Sequence, residues 1–114
     1  MCLMIVDDNP DMRRIIRRMV SSIATEIVEC ADGGEALAAY SQSHPDWVLM
    51  DIEMSGVDGI SATRQITTAF PDAKVIIVTS HGDEPLRQAA QEAGACGYVL
   101  KENLLVIRQM IGNP

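Results

Sequence analysis

Five short apolar segments alternate with segments of helical periodicity, and this alternation is the strongest constraint on the fold. Several of the segments are continuously apolar, which is typical of parallel strands buried on both faces of a sheet. The segments are Leu3–Val6, Glu26–Cys30, Trp47–Met50, Lys74–Thr79 and Gly97–Leu100. Strands that alternate with helices predict a doubly wound α/β fold, in which right-handed crossovers place helices on both faces.

The intervening segments predict five helices. Asn9 is a candidate N-cap before Pro10, and apolar residues then repeat at helical spacing as far as Ile23. Asp32 with Glu35 resembles a capping box that opens the second helix. The other predicted limits are Asp58 and Pro71 for the third helix, Pro85 and Gly94 for the fourth, and 103–111 for the fifth.

Length and charge restrict the class of protein. A chain of 114 residues suits one domain, predicted over 1–114. The net charge of −7 disfavours direct binding to a nucleic-acid backbone. No apolar run approaches the roughly 18 residues of a membrane span, so we expect a cytoplasmic protein without membrane contact. Cys2, Cys30 and Cys96 form no CxxC pair, and Cys2 is expected to be the most exposed of them.

Polar residues stand at the carboxyl ends of four predicted strands. Asp7 and Asp8 follow the first strand, Asp51 follows the third, Thr79 ends the fourth, and Lys101 follows the fifth. Ligands of doubly wound sheets bind beyond the carboxyl ends of the strands, where strand order reverses. If the first strand is central and adjacent to the third, these side chains converge on one edge of the sheet.

The chemistry of this set points to a metal ion and a phosphoryl group. Three carboxylates in close contact repel one another, and a divalent cation relieves the conflict. Oxygen ligands suit Mg²⁺, with Mn²⁺ as the alternative. A carboxylate can attack phosphorus and form an acyl phosphate, while a lysine neutralises the phosphoryl oxygens. The sequence therefore predicts a phosphate-accepting pocket.

The sequence resembles the receiver domain of bacterial two-component response regulators, and most closely the receivers joined to helix-turn-helix outputs. The resemblance spans Leu3 to about Ile111. It implies the flavodoxin-like receiver fold, with strand order 2-1-3-4-5. Without an output segment in the sequence, we expect either a single-domain regulator or an excised domain. The matching segments are Ile5–Asn9, Leu49–Ile52, Gly56–Gly59, Val78–Ser80 and Gly97–Lys101.

The resemblance also assigns the pocket residues. It implies that Asp51 accepts a phosphoryl group from a histidine kinase or histidine phosphotransfer protein. Asp7 and Asp8 would hold Mg²⁺ together with Asp51, and the backbone carbonyl of Glu53 would complete the metal site. Lys101 would bridge to the phosphate. The chain would then catalyse only its own phosphorylation and dephosphorylation.

The switch implied by the resemblance involves Thr79 and Tyr98. Thr79 would move toward the phosphate, and Tyr98 would change rotamer, which alters the face of the fifth strand for an output surface, a partner or a second copy. An aromatic residue in a strand is also a common packing residue, so packing alone is the other interpretation of Tyr98.

Two segments depart from the family pattern. The loop after Asp51 reads Glu-Met-Ser-Gly, where the family often has proline before the glycine. Glu102 follows Lys101 where many receivers have proline, so the cis peptide often found there is not implied.

Other functions remain open from the sequence. A receiver fold can act as an interaction module without phosphorylation. Asp51-Ile52-Glu53 also resembles the Asp-x-Asp motif of haloacid-dehalogenase-like phosphatases. A flavin carrier would need phosphate-cradling donors after the first strand, and that loop reads Asp-Asp-Asn-Pro-Asp.

Residues around the pocket also have two interpretations. Glu53 and His81 would border its mouth, either as ordinary loop residues or as controls on water access and phosphate lifetime. The first helix carries a basic cluster that forms either a solvated face or a surface that steers a kinase. The cluster comprises Arg13, Arg14, Arg17 and Arg18.

Overall fold

The fold is a five-stranded parallel sheet in the order β2-β1-β3-β4-β5, as predicted. The structure, a computed structural model, describes residues 1–112. The strands are β1 (Cys2–Val6), β2 (Glu26–Cys30), β3 (Trp47–Met50), β4 (Val75–Thr79) and β5 (Gly97–Leu100). The predicted strand limits agree within one residue, β1 beginning at Cys2 and β4 at Val75.

Helices follow the strands and cover both faces of the sheet. The Asn9 side chain caps the first helix, because its oxygen accepts hydrogen bonds from the backbone N–H groups of Asp11 and Met12. The Asp58 carboxylate caps the third helix in the same way. The helices are α1 (Pro10–Val20), α2 (Ala36–Ser43), α3 (Gly59–Ala69), α4 (Glu84–Glu92) and α5 (Leu105–Gly112).

Three helix limits differ from the sequence prediction. Helix α1 ends at Val20 instead of Ile23, and the Ile23 and Ala24 N–H groups turn back to the Val20 carbonyl. A 3₁₀ turn, Gly33–Glu35, precedes α2, so Asp32 caps this turn and no α-helical capping box forms. A second 3₁₀ turn, Lys101–Asn103, delays α5 to Leu105. In each case local hydrogen bonding tightens a terminal turn.

The sheet separates two hydrophobic cores. Alternating residues of β1 point to opposite faces, so Met4 packs in one core and Leu3 in the other. The first core includes Ile66 of α3, whereas the second includes Ile16 of α1 and Ile107 of α5. Every residue of β4 is buried. This burial on both faces explains why the central strands are continuously apolar.

The cysteines are free, and the exposure prediction for them was wrong. Cys96 is the exposed cysteine, Cys30 is buried, and Cys2 is only partly exposed because it begins β1. The peptide bonds of residues 1–112 are all trans. Within those residues, no helix combines the length and apolar character that crossing a membrane requires.

Thr63 of α3 is fully buried, and its hydroxyl has no hydrogen-bond partner among residues 1–112. A buried unsatisfied hydroxyl lowers stability. We expect Thr63→Val, which replaces the hydroxyl with a methyl group of similar shape, to raise the free energy of unfolding by about 1 kcal/mol. Urea melts would measure the change. Thr68→Val on the exposed side of the same helix is the control, and a destabilised Thr63→Val variant would show that the hydroxyl has a partner.

Candidate functional site

Two aspartates directly follow adjacent strands and lie side by side. The register pairs Val6 of β1 with Met50 of β3, so Asp7 and Asp51 follow at the same level of the sheet. The Asp51 N–H donates to the Val6 carbonyl at 2.9 Å, which continues the parallel ladder one residue further. The strand pairing therefore fixes the separation of the two carboxyl groups.

Gly59 brings the start of α3 against the loop after β3. Its N–H donates to the Ile52 carbonyl at 2.9 Å. A Cβ atom at this position would collide with the Asp51 carbonyl oxygen. The Asp58-Gly59 pair thus combines a helix cap with a close backbone approach, and together they hold the peptide that carries Asp51.

Asp7, Asp8 and Asp51 form one carboxylate cluster. One oxygen from each lies within 4.8 Å of the others. Asp7 is fully buried and Asp51 is 5% exposed, whereas Asp8 is exposed at the edge. The arrangement places two carboxyl groups in a poorly solvated position, where their mutual repulsion is strongest.

Lys101 lies between the two buried carboxyl groups. Its Nζ atom is 3.3 Å from Asp7 Oδ2 and 3.3 Å from Asp51 Oδ1. Burial would lower the pKa of Lys101, but the charges of Asp51 and Asp7 outweigh it and raise the pKa. The lysine therefore stays protonated and neutralises part of the acidic cluster.

The surroundings of the Asp51 carboxyl group perturb its pKa. Burial and the charge of Asp7 raise the pKa of Asp51 to about 6, although Lys101 opposes the shift. At pH 7 and above the carboxylate is mainly ionised, and it is poorly stabilised by its surroundings. A bound cation, or a group transferred to one of its oxygens, would therefore stabilise this carboxylate.

The donors around the cluster leave room for a cation. Asp7 Oδ1 accepts the Asn9 N–H at 2.9 Å, whereas the buried Asp7 Oδ2 has only its ion pair with Lys101 at 3.3 Å as a polar contact among residues 1–112. Asp8 Oδ2 accepts the Ser55 N–H at 3.3 Å. Ser55 occupies the position where the family often has proline, which has no N–H to donate. An all-oxygen set in which a single lysine offsets two buried carboxyl groups fits Mg²⁺.

The remaining predicted pocket residues complete one open cleft of about 140 Å³. The Thr79 hydroxyl is fully buried and accepts the His81 N–H at 3.2 Å. His81 Nε2 contacts Glu53 Oε1 across the mouth, so both residues border the cleft as predicted. The cleft is lined by Asp7, Asp8, Asn9, Asp51, Glu53, Thr79, Ser80, His81 and Lys101.

Tyr98 lies outside this cleft. Its hydroxyl donates to the His81 carbonyl at 2.6 Å, and its ring is partly buried on β5. The connection between Tyr98 and the cleft therefore passes through the turn after β4.

Arg13 supports the site through a contact that the sequence analysis, which placed it in the basic cluster of the first helix, did not identify. Its guanidinium donates to the Asp7 carbonyl at 2.6 Å and pairs with Glu29 of β2 at 3.0 Å. Arg17 binds the same glutamate at 2.8 Å. Arg13 therefore braces the peptide between Asp7 and Asp8. The signals in the sequence were the arginine cluster of the first helix and the two glutamates of β2, Glu26 and Glu29.

Comparison with known proteins agrees with this geometry. The profile of the response regulator receiver domain matches residues 3–111. Response regulator GacA of Pseudomonas aeruginosa is 37% identical over 115 residues, which cover 95% of this chain and 54% of that protein. Response regulator UvrY of Escherichia coli is 37% identical over 101 residues, which cover 87% of this chain and 46% of that protein.

Solved structures show the same likeness. A two-component response regulator of the LuxR family from Aurantimonas sp. superposes with a TM-score of 0.90 at 38% identity, covering 97% of this chain and 81% of that one. The chain belongs to the response regulator receiver domain family. It spans about half the length of the curated relatives that it matches.

The raised pKa of Asp51 predicts a pH-dependent cost to folding. A carboxyl group whose pKa rises from 3.8 to about 6 on folding favours the folded state in acid, and this contribution is lost as pH rises through 6. The loss amounts to about 3 kcal/mol at pH 7.5. We expect Asp51→Asn to be more stable than the unsubstituted protein at pH 7.5 without metal, and this advantage to shrink at pH 5.

Urea melts at the two pH values would measure the difference. Asp72→Asn is the control, because Asp72 is exposed and lies outside the cleft. An advantage of Asp51→Asn that is equal at both pH values would contradict the assigned cause.

Proposed function

We propose that the chain is a phosphoacceptor signalling switch in which Asp51 receives a phosphoryl group from a histidine kinase or histidine phosphotransfer protein. The observation that carries the proposal is the buried Asp51 carboxylate beside Asp7 and Lys101 in an open cleft. An Asp51 oxygen forms the new O–P bond as the N–P bond of phosphohistidine breaks. The electron pair of that bond stays on the imidazole, which takes up a proton.

Asp7, Asp8, Asp51 and the backbone carbonyl of Glu53 would hold Mg²⁺, or Mn²⁺ in its place. When bound, the cation supplies positive charge that offsets the carboxylates and the phosphoryl oxygens. The three carboxylate oxygens within 4.8 Å of one another, offset by only one lysine, support this assignment. Arg13 and the Ser55 N–H keep the loops that carry these ligands in place.

Lys101 and Thr79 would bind the transferred group. Lys101 already lies 3.3 Å from Asp51, so its Nζ can turn from the carboxylate to a phosphoryl oxygen without a large movement. The Thr79 hydroxyl faces the same cleft and can donate a hydrogen bond. With these residues the chain would catalyse its own phosphorylation and dephosphorylation and no other reaction.

The signal would leave the cleft through Thr79 and Tyr98. Thr79 Oγ1 accepts the His81 N–H, and Tyr98 donates to the His81 carbonyl, so one peptide segment joins the two side chains. Movement of Thr79 toward a phosphate would shift this segment, and Tyr98 would change rotamer. The changed face of β5 would then bind a partner, an output segment or a second copy of the chain.

The proposal predicts a single phosphate adduct. Incubation with Mg²⁺ and acetyl phosphate should add one phosphoryl group, detected by intact mass, and Asp51→Asn should add none. Asp72→Asn should be labelled like the unsubstituted protein. A protein that gains no adduct from this donor or from any kinase would be an interaction module of the same fold. Sustained hydrolysis of phosphate esters would instead identify a phosphatase.

Mg²⁺ should also stabilise the fold, because it binds the native carboxylate cluster and relieves its repulsion. At a Mg²⁺ concentration ten times the dissociation constant, binding raises the free energy of unfolding by about 1.4 kcal/mol. A thermal melt would detect this as a rise of a few degrees in melting temperature. We expect Asp8→Asn to lose most of this rise and Asp72→Asn to keep it. An unchanged melting temperature in millimolar Mg²⁺ would argue against a shared metal site.

A further inference from the structure

The backbone of Asp7 is held on both sides of its Cα atom. Its N–H donates to the Cys30 carbonyl at 3.1 Å and so extends the ladder between β1 and β2. Strand β2 ends at Cys30, and the donor to the Asp7 carbonyl is Nη1 of Arg13 in α1, at 2.6 Å. A helix side chain therefore holds the peptide that follows the strand.

Glu29 of β2 fixes the direction of the Arg13 side chain. Arg13 Nε lies 3.0 Å from Glu29 Oε1, and Arg17 Nη1 lies 2.8 Å from Glu29 Oε2. The planar guanidinium of Arg13 thus spans from the Glu29 carboxylate to the Asp7 carbonyl. The Arg13 side chain is 19% exposed, whereas that of its neighbour Arg14 is 63% exposed. We call Arg13, Glu29 and the Asp7 carbonyl the loop brace.

The loop brace acts on the peptide that joins two carboxylates of the cluster. Because a peptide unit is planar, a bond to the Asp7 carbonyl restricts rotation about the Asp7 Cα–C bond and so fixes the position of the Asp8 Cα atom. The Asp8 side chain is exposed, and one of its oxygens accepts the Ser55 N–H at 3.3 Å. An exposed side chain gains little from packing, so its place beside Asp7 and Asp51 depends on how its backbone is held.

We propose that Arg13 is a positioning residue for the metal site, which holds Asp7 and Asp8 ready for a divalent cation without touching it. Ligands that are already in place bind more tightly, because less ordering accompanies binding. Residues that orient metal ligands from outside contribute about tenfold to a hundredfold in metal affinity. The inference rests on the Mg²⁺ site of the proposed function, but the loop brace itself exists without metal.

The charge of Arg13 and its positioning role have opposite effects on Mg²⁺. A guanidinium close to the carboxylate cluster repels a cation, so its removal should tighten Mg²⁺ binding if charge alone mattered. If Arg13 positions the ligands, the same substitution should weaken Mg²⁺ binding. The sign of the change in affinity therefore separates the two roles.

Calorimetric titration with Mg²⁺, without a phosphodonor, measures this sign. We expect Arg13→Gln to weaken Mg²⁺ binding by about tenfold. Arg13→Lys keeps the charge but lacks the fork of donors, so it should weaken binding at least as much. Arg14→Gln and Arg14→Lys are the matched controls, because Arg14 lies on the same helix and pairs with Asp11 at 3.3 Å. Unchanged or tighter binding in Arg13→Gln, or full affinity in Arg13→Lys, would overturn the positioning role.

Nuclear magnetic resonance of the metal-free protein tests the loop brace itself. The Asp8 nitrogen belongs to the same peptide as the Asp7 carbonyl, so its chemical shift should change in both Arg13 variants and stay unchanged in both Arg14 variants. An Asp8 nitrogen signal that keeps its position in the Arg13 variants would overturn the brace.

The outcomes separate this inference from the proposed function. Urea melts would identify conditions in which every variant is folded, and Arg13→Lys decides the matter if Arg13→Gln does not fold. Normal Mg²⁺ affinity in a folded Arg13 variant would reject the inference alone. An unsubstituted protein that binds no Mg²⁺ would reject the metal site of the proposed function and this inference with it.

Discussion

The pairing of β1 with β3 in parallel is the constraint on which the site depends. A shift of one residue in this register would send Asp7 or Asp51 to the opposite face of the sheet. The register is secured by burial, because Ile5 and Leu49 pack in the same core and both are almost fully inaccessible to solvent. The positions of the carboxyl groups at the edge of the sheet are therefore specified by hydrophobic packing two residues earlier in each strand.

This packing imposes an electrostatic cost that the surrounding residues only partly offset. Lys101 contributes one positive charge to two buried carboxyl groups, and Asp51 keeps a raised pKa of about 6. A fully neutralised cluster would be more stable but would have little affinity for a cation or a phosphoryl group. In the proposed function, the negative charge that Lys101 leaves uncompensated is the source of the reactivity of Asp51.

Much of the fold could be predicted because it follows from local pattern. Continuous apolar segments identified the strands, and the aspartates at their ends located the site. Details that depend on contacts between distant segments could not be predicted. The role of Arg13 requires knowing that α1 lies beside Glu29 of β2. The bond from Tyr98 to His81 depends on the conformation of a turn. The early end of α1 follows from hydrogen bonds within its last turn, which propensity alone does not specify.

The pairing of Glu29 with two arginines changes what α1 presents to an approaching molecule. Arg13 and Arg17 share that carboxylate, and Arg14 lies 3.3 Å from Asp11 one turn away. Arg13, Arg17 and Glu29 together keep one net positive charge, and the exposed Arg18 of the same helix adds another. An acidic molecule would therefore be attracted to this helix at short range, although dissolved salt screens the attraction beyond about 8 Å. Its rate of encounter with the helix would fall as ionic strength rises.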